Sequence, residues 1–340
     1  MLMINNQNEL VEGKFIGKNI DKIIIGPNVT YIPENCFNGC KNLNEITFEG
    51  NINNIEAAAF MGCENLKTIN ANNINIIKDF AFYGCNNIVD FNVDENIANN
   101  IKFGSYNNSL STYFELPEIG TPFNNLSWHK INLISKKGKS KDYFTVGDKK
   151  EIAINSETYH VQIIGFDHDD KSDDSGKTGI TVMFKEIMTT KHNMNPSGKN
   201  AGGWRDSEMR TYLSNNIYTS LPSDLQIVIK TVNKKSDNGS GDNTTLNITK
   251  DKLFLLSLEE VGFTSNDVYR EYVNGQGTKY EYFSNGNSRK KKDLSGDLCH
   301  WWLRSTRTFN FYFFFLVNFN GNWNSISADL SRGVVPAFCI

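Results

Sequence analysis

The chain has 340 residues, of which 39% are hydrophobic and 21% are charged, and its formal net charge is −3. These values are typical of a soluble globular protein with room for two domains, and the charge gives no reason to expect nucleic acid or an anionic membrane as a partner. No apolar run approaches the ~18 residues that span a bilayer, and the first residues lack the pattern of a secretory signal, so a cytoplasmic location is expected by default.

Three copies of one pattern lie between residues 20 and 93. They are Ile32–Ile46, Ile55–Ile69 and Ile77–Phe91, and a degenerate copy precedes them at 20–29. The Phe at 37, 60 and 82 recurs after 23 and 22 residues, as do the Gly and Cys that follow it. A fixed period of this length predicts a solenoid in which each copy supplies a short strand and a turn. The Cys at 40, 63 and 85 should form a buried ladder of small apolar side chains; a metal site is the alternative, but no His accompanies them.

The repeated core, with Ala-Phe-x-Gly-Cys-x-Asn-Leu as its centre, resembles the leucine-rich repeats of BspA-type bacterial surface proteins over roughly residues 20–95. The resemblance implies binding to a protein or a surface, or a spacer role. We assign 1–95 to these repeats, 96–123 to a cap and linker, and 124–340 to a second domain.

In the second domain, Thr158–Phe166 and Gly179–Phe184 are rich in β-branched residues and predict strands. The acidic stretch 168–176 between them lacks the 1-3-5 oxygen spacing of a calcium loop, so a solvated hairpin loop is favoured. Ser207 is a plausible N-cap for a helix over Glu208–Asn215, with Met209 and Leu213 on its buried face.

A second helix is predicted to begin near Pro222, with an apolar stripe of Leu225, Val228, Ile229 and Val232. Asp251–Leu256 predicts a buried strand. Residues 234–247 and 273–296 are interpreted as polar loops, and the charged run Arg289–Lys292 as a solvated face rather than a phosphate site.

The motifs of common enzymes are missing from the sequence. It contains no Gly-rich phosphate loop, no nucleophile elbow and no HExxH. None of the six Cys belongs to a CxxC pair, and the five His are scattered. Cys299 and His300 are adjacent, but neighbours on a strand point to opposite faces. We therefore expect no catalytic residues, no metal ligands and no cofactor.

The order of motifs from Val146-Gly147-Asp148 to the end of the chain resembles a second family. Its most specific parts are Trp302–Ser305 and Gly333–Phe338, and the chain also has Gly202-Gly203-Trp204 before a helix. The resemblance is to C-type-lectin-like domains of the formylglycine-generating-enzyme type, in the branch used as variable proteins of diversity-generating retroelements. It implies that a C-terminal segment, here 306–333, is mutagenised at adenines, chiefly in Asn codons. Val335 stands where that family commonly has Arg, and no calcium–sugar signature is present, so sugar binding does not follow from the fold name.

The composition of the C-terminal segment agrees with that mechanism. Randomising the first two bases of an Asn codon never yields Lys, Glu, Gln, Met or Trp. The chain contains 28 Lys, 18 Glu, 4 Gln and 7 Met, so 36 residues should carry about six of these four types. Ser305–Ile340 carries none, although it holds five Asn and one Asp.

The predicted ligand-binding residues follow from a strand over Phe309–Asn320 and an irregular region after it. Alternation places Phe311, Phe313, Phe315 and Val317 on one face and the intervening residues on the other, unless both faces are core. Trp323, Gly333 and Pro336 are assigned to the scaffold, together with Val317, Gly321, Ala328 and Phe338. The predicted ligand-binding residues are Phe309, Asn310, Phe311, Tyr312, Phe314, Leu316, Asn318, Phe319, Asn320, Asn322, Asn324, Ser325, Ile326, Ser327, Asp329, Leu330 and Arg332.

The sequence thus predicts an α+β protein, a short leucine-rich-repeat solenoid followed by a C-type-lectin-like mixed α/β domain. The predicted function is non-enzymatic binding, and aromatic residues rimmed by Asn and Ser favour a protein ligand over carbohydrate. Two alternatives stay open: an adhesive or structural protein whose repeats are the binding surface, and an enzyme of the formylglycine-generating type. The second resemblance also allows association with a phage particle; the sequence does not predict an oligomeric state.

Overall fold

The computed structural model describes residues 1–88, 90–92, 102–103, 115–242, 244–264, 266–268 and 272–340. The chain divides into two compact units, Met1–Pro117 and Glu118–Ile340. Most of the predicted cap and linker, 96–123, lies outside the described residues.

The first unit is a parallel stack of strands, as the repeat period predicts. Strands β1, β2, β4, β5 and β6 are neighbours in that order, and Ile23, Ile46, Ile69 and Phe91 lie side by side in register. A second parallel ladder joins β3 and β7 to the far halves of β4 and β5. The elements are β1 (Leu2–Asn6), a 3₁₀ turn (Gln7–Glu9), β2 (Lys22–Asn28), β3 (Tyr31–Ile32), β4 (Glu45–Ile55), β5 (Thr68–Ile77), β6 (Asp90–Asn92) and β7 (Lys102–Phe103).

The equivalent residues of successive repeats stack on each other in the core. The rings of Phe37, Phe60 and Phe82 lie 5.1–5.2 Å apart, nearly parallel. The predicted ladder of Cys40, Cys63 and Cys85 is confirmed, since all three are buried. Each thiol donates to a Phe carbonyl of the repeat before it, at 3.1–3.3 Å. Burial raises the pKa of Cys40 to about 11, and all three Cys side chains pack in the core of the solenoid.

One repeat was missed by the sequence analysis. The ring of Phe15 stacks 5.1 Å from that of Phe37, and β1 pairs with β2. Phe15 and Gly17 lie 22 residues before Phe37 and Gly39, which was the available signal. The surrounding residues lack the Ala-Phe-x-Gly-Cys pattern, so the copy did not stand out.

The second unit is mainly β-structure with a few short helices. Its largest sheet is antiparallel in the order β18-β10-β9-β8, and β15-β16-β17 form a second, three-stranded sheet. The elements are a 3₁₀ turn (Phe123–Asn125), α1 (Trp128–Lys136), α2 (Ser140–Tyr143), β8 (Lys149–Ile154), β9 (Glu157–Gly165), β10 (Thr181–Phe184), α3 (Glu208–Tyr212) with its π-helical continuation (Leu213–Ile217) and last turn (Tyr218–Ser220), α4 (Ser223–Val228), β11 (Val232–Asp237), β12 (Leu246–Asp251), α5 (Glu281–Ser284), β13 (Lys291–Lys292), β14 (Leu298–Cys299), β15 (Trp301–Thr306), β16 (Phe313–Val317), β17 (Trp323–Ser327) and β18 (Ala337–Cys339).

Several local predictions are confirmed here. The two strands predicted around 160 and 182 are β9 and β10. Ser207 caps α3 by accepting a hydrogen bond from Arg210 N, and Met209 and Leu213 are both buried. Val335 is fully buried, so an apolar side chain suits the place where the resembled family has Arg.

Other local predictions are wrong, and several of the errors involve a polar residue inside the core. Residues 234–247 include β11 and the start of β12 rather than a loop, because Lys234 and Asp237 point inward. Asp169, in the stretch read as solvated, is 4% exposed, and Lys291 of the basic run is 3% exposed. Val232 begins β11 instead of continuing the apolar stripe of a helix. Within Asp251–Leu256, Asp251 ends β12 and Phe254 forms an isolated bridge, so this segment is not a strand of its own.

Candidate ligand-binding surface

A three-stranded sheet, of which β15 and β16 are almost entirely buried, supports the C-terminal surface. Every residue of β15 is buried, and β16 lies between β15 and the edge strand β17. On β16, Phe314 faces Thr306 and Ile326, while Leu316 faces Trp302 and Asn324. The centre of β16 is therefore core, and the accessible residues lie in the turns at its two ends, at Asn324 on the edge strand β17 and in the segment after β17.

The turn before β16 is shaped by two Asn side chains. Asn310 Oδ1 accepts hydrogen bonds from the backbone N–H groups of Tyr312 and Phe313, at 2.8 and 2.9 Å. Asn200 Nδ2 donates to the carbonyls of Asn310 and Phe313, at 2.8 and 3.0 Å, and Asn200 N donates to the carbonyl of Phe311. This turn presents Phe309, Phe311 and Tyr312, which are 72%, 56% and 51% exposed.

Asn200 also fixes the tip of the β11–β12 hairpin next to this turn. Its Oδ1 accepts from Ser240 N at 2.9 Å. Gly239 has φ +63°, and a Cβ there would collide with the carbonyl oxygen of Asn200. Asn200 itself is fully buried, so it is a structural residue that joins two loops from inside.

The turn after β16 is likewise held by an Asn side chain that accepts hydrogen bonds from backbone N–H groups. Asn318 Oδ1 accepts from the N–H groups of Asn320 and Asn322, at 2.9 and 3.2 Å. Phe319 is 47% exposed, and its ring lies 5.4 Å from the His300 ring. Asn310 and Asn318 thus end the strand at both sides, because their side chains take over N–H groups that a longer ladder would use.

The segment after β17 connects the two turns. It begins beside the first turn, where Ala328 N donates to the Tyr312 carbonyl at 2.9 Å. It ends at Arg332, which pairs through its backbone with His192 and lines a cleft of about 330 Å³ together with Phe319. Asp329 and Leu330 are exposed between these points, so the predicted residues of both turns belong to one continuous stretch of surface.

The structure places the predicted ligand-binding residues in three classes. Nine are exposed: Phe309, Phe311, Tyr312, Phe319, Asn320, Asn322, Asn324, Asp329 and Leu330. Five are half-buried: Asn310, Asn318, Ile326, Ser327 and Arg332. Three are buried: Phe314, Leu316 and Ser325.

The three buried residues are corrections to the predicted site. Phe314 and Leu316 were assigned to an exposed face by alternation along a strand predicted over Phe309–Asn320. The strand spans only Phe313–Val317, and both of its faces are covered. Ser325 lies opposite the buried Phe315 on the neighbouring strand. None of the three is available to a ligand in this structure.

A buried network of charges anchors β15 beneath the surface. Arg304, fully buried, forms an ion pair with Glu260 and donates to the carbonyls of Lys235 and Leu255. Lys234 bridges Glu260 and Asp169, with N–O distances of 2.6 and 2.7 Å. Burial opposes ionisation of Glu260, but Arg304 and Lys234 outweigh it and lower its pKa. Such a network is costly to break, since removing one partner leaves a buried charge unpaired.

Sequence reasoning missed most members of this network. The partners of Lys234 are 65 and 26 residues away along the chain, and nothing in the local pattern marks them. Asp237 is equally hidden: Thr306 and Gln276 donate to it, and burial raises its pKa to about 7. The one visible signal was the charged Arg304 inside the apolar run Trp301–Ser305.

The described residues contain no candidate metal centre and no membrane-spanning helix. Among the described residues, no three His, Cys, Asp or Glu side chains come together as ion ligands. Over the same described ranges, no helix combines the length and hydropathy that crossing a membrane requires.

Comparison with known families identifies two regions. Residues 8–134 match the BspA-type leucine-rich repeat region in six copies, so the chain contains repeats of this class, as the resemblance of the repeated motif implied. The match passes Pro117 and takes in most of α1, which has no counterpart in the described repeats. Residues 178–340, with the whole candidate surface, match DUF6273, a domain of unknown function. No curated protein and no solved structure matches the chain.

Proposed function

We propose that this is a non-enzymatic binding protein whose second unit is a C-type-lectin-like domain displaying a retroelement-diversified surface for a protein ligand. The observation that carries the proposal is the exposure of aromatic and Asn side chains within a segment free of Lys, Glu, Gln and Met. Of the sixteen exposed large hydrophobic residues in the described chain, five lie between Phe309 and Leu330. Exposed aromatics beside short polar residues are the composition of protein-binding paratopes.

The backbone at Phe309 supports the same proposal. Its φ is +59°, in the left-handed region. That conformation is strained for a bulky aromatic residue but is readily adopted by Asn. A position whose backbone suits Asn and whose side chain is Phe is what variation at an Asn codon would produce.

Tolerance to randomisation tests the proposal without knowledge of the ligand. One library randomises Phe311, Tyr312, Phe319 and Leu330 with the codons reachable from Asn, and a matched library treats four buried positions, Phe314, Leu316, Ser325 and Ala328, in the same way. Most members of the exposed library should unfold cooperatively like the starting protein, and most of the buried library should not. Equal failure of the two libraries would contradict a surface built for variation.

The coding sequence offers a second test. A near-identical copy of the segment encoding Trp302–Phe338, differing mainly at adenines and beside a reverse transcriptase gene, is the expected template. A genome without such a copy argues against the retroelement origin while leaving ligand binding open.

A second candidate function rests on the repeats, which favour protein interaction or adhesion. Phe80 and Tyr83 are exposed on one repeat, with ring centroids 5.9 Å apart in an edge-to-face arrangement. Once a ligand is known, two double variants separate the candidates. Loss of binding in Phe311→Ser/Tyr312→Ser supports the C-terminal surface, and loss only in Phe80→Ser/Tyr83→Ser supports the repeats.

A further inference from the structure

A second cleft of the C-terminal unit is lined by ammonium groups. Its volume is about 520 Å³, and five Lys from three separate parts of the chain contribute to its walls. We call it the lysine cleft, and its basic residues are Lys149, Lys185, Lys290, Lys291 and Lys292. Tyr282 and Leu298 add apolar wall.

The positive charge of the cleft is only partly compensated. Glu186 is the one carboxylate in the wall, and it already accepts from Lys185 Nζ at 2.9 Å and from His160 N at 2.8 Å. Within the described part of the chain, Lys149, Lys290 and Lys292 have no carboxylate within 4 Å. All three are exposed, so a concentrated positive field stands on a protein whose formal net charge is −3.

Lys291 adds a buried amine to the lining of the cleft. Its side chain is fully buried, and its Nζ donates to the carbonyl of Phe184 at 2.8 Å. An ammonium group has three donors, and this hydrogen bond uses one of them. Burial lowers the pKa of Lys291 to about 7, and the nearby Glu186 offsets this only in part, which marks how poorly the charge of this amine is solvated.

The lysine cleft adjoins the candidate ligand-binding surface. Leu298 lines both this cleft and the smaller one that contains Phe319 and Arg332. The turn after β16 touches it as well, since a Cβ placed on Gly321 would lie 3.3 Å from Lys290 Cγ. The lysine cleft and the turn that carries Phe319 are therefore neighbours on the second unit.

We propose that the lysine cleft binds an acidic peptide segment, with separate carboxylates meeting Lys149, Lys290 and Lys292. The ammonium groups of these Lys side chains are separate point charges, and they match several Asp or Glu side chains spaced along an extended peptide. A phosphate would call for donors that converge on one point, such as an Arg fork or a row of backbone N–H groups. The nearby Arg289 is not available for that role, because it packs on the Phe263 ring and donates to the carbonyls of Val261 and Gly262.

A labelled decapeptide of Asp and Glu around one Phe is the probe, and its Asn/Gln counterpart is the neutral control. Fluorescence anisotropy with the full chain measures binding at low salt, where exposed charges are least screened. The combined variant Lys149→Gln/Lys290→Gln/Lys292→Gln should weaken binding of the acidic peptide about tenfold. The neutral peptide should not bind measurably.

Matched variants make the result specific to the cleft. Lys136→Gln/Lys250→Gln/Lys279→Gln removes the same charge from exposed positions elsewhere on the unit and should change affinity by less than about twofold. Phe311→Ser/Tyr312→Ser should leave binding of the acidic peptide intact, so failure of the proposed aromatic surface is distinguishable from failure of the cleft. The proposal is overturned if the acidic peptide does not bind, if both lysine variants lose affinity equally, or if tripolyphosphate binds and the peptide does not.

Discussion

Phe314→Ala separates the two kinds of residue within the C-terminal hairpin. Phe314 is fully buried between Thr306 and Ile326, so truncation removes a whole ring from a closed site. Core Phe→Ala substitutions cost about 3–5 kcal/mol. At about 2–4 °C per kcal/mol for a domain of this size, the unfolding temperature of the second unit should fall by about 6–20 °C.

Phe311→Ala is the matched control, because it makes the same substitution three residues earlier at a side chain that is 56% exposed. Its expected effect is within about 0.5 kcal/mol, or about 1–2 °C. Tryptophan fluorescence is a suitable readout, since all five Trp lie in the second unit. Similar melting temperatures for the two variants would refute the division of the segment into core and surface.

Three further predictions concern polar or strained positions. Lys291→Met should flatten the pH dependence of stability. The folded-state pKa of Lys291 is about 7 against a usual 10.5, so between these pH values the unfolded chain binds a proton that the folded chain does not. The stability of the wild type should therefore rise with pH across that window, by up to about 5 kcal/mol. Denaturant titrations at pH 7 and pH 9.5 measure the difference, and equal slopes in the variant and the wild type would disprove a buried neutral amine. Asn200→Ala should lower the free energy of unfolding by about 2–4 kcal/mol, because two carbonyls and one N–H lose their buried partner, and hydrogen exchange should accelerate at 309–313. Unchanged exchange would show that the hydrogen bonds of Asn200 do not hold this turn. Asn324→Ala is the control at an exposed Asn. Phe309→Asn should raise the free energy of unfolding by about 1 kcal/mol by relieving the left-handed strain, whereas a loss of stability in thermal melts would show that the Phe ring is held by contacts.

The solenoid was predictable because its information is periodic. Phe37, Phe60 and Phe82 recur at the spacing of the stack, so the sequence itself aligns the residues that touch. The first repeat escaped because only Phe15 and Gly17 retain the pattern. Periodicity identifies a repeat through several conserved positions at once, and two are too few.

The strand predicted over Phe309–Asn320 was too long, because hydrogen bonds to side chains, rather than backbone propensity, end β16. The run from Phe309 to Asn320 is aromatic enough to favour a strand throughout. Asn310 and Asn318 nonetheless bind nearby N–H groups and turn the chain at both ends. Alternation then failed inside the strand, because a central strand covered on both faces exposes neither set of side chains.

The buried charges were beyond any local reading of the sequence. Lys234 and Asp169 look like ordinary surface residues among polar neighbours, and Glu260, although it lies in a largely apolar stretch, has no local sign of its distant partners. They are inside because they satisfy one another and Arg304 across long separations in the chain. The exposed part of the candidate surface was easier to predict, since its signal was an unusual composition within one continuous segment.

The hydrogen bonds of Asn200 have a consequence for how much the surface can change. Each of its bonds to the first turn ends on a main-chain carbonyl, at Asn310, Phe311 and Phe313. Every amino acid has a main-chain carbonyl, so these hydrogen bonds do not depend on which side chains the turn carries. Replacing Phe311 or Tyr312 by another residue alters what the turn shows to a ligand without removing any bond that keeps the turn in place. The turn can therefore keep its backbone conformation while the side chains that it presents to a ligand vary.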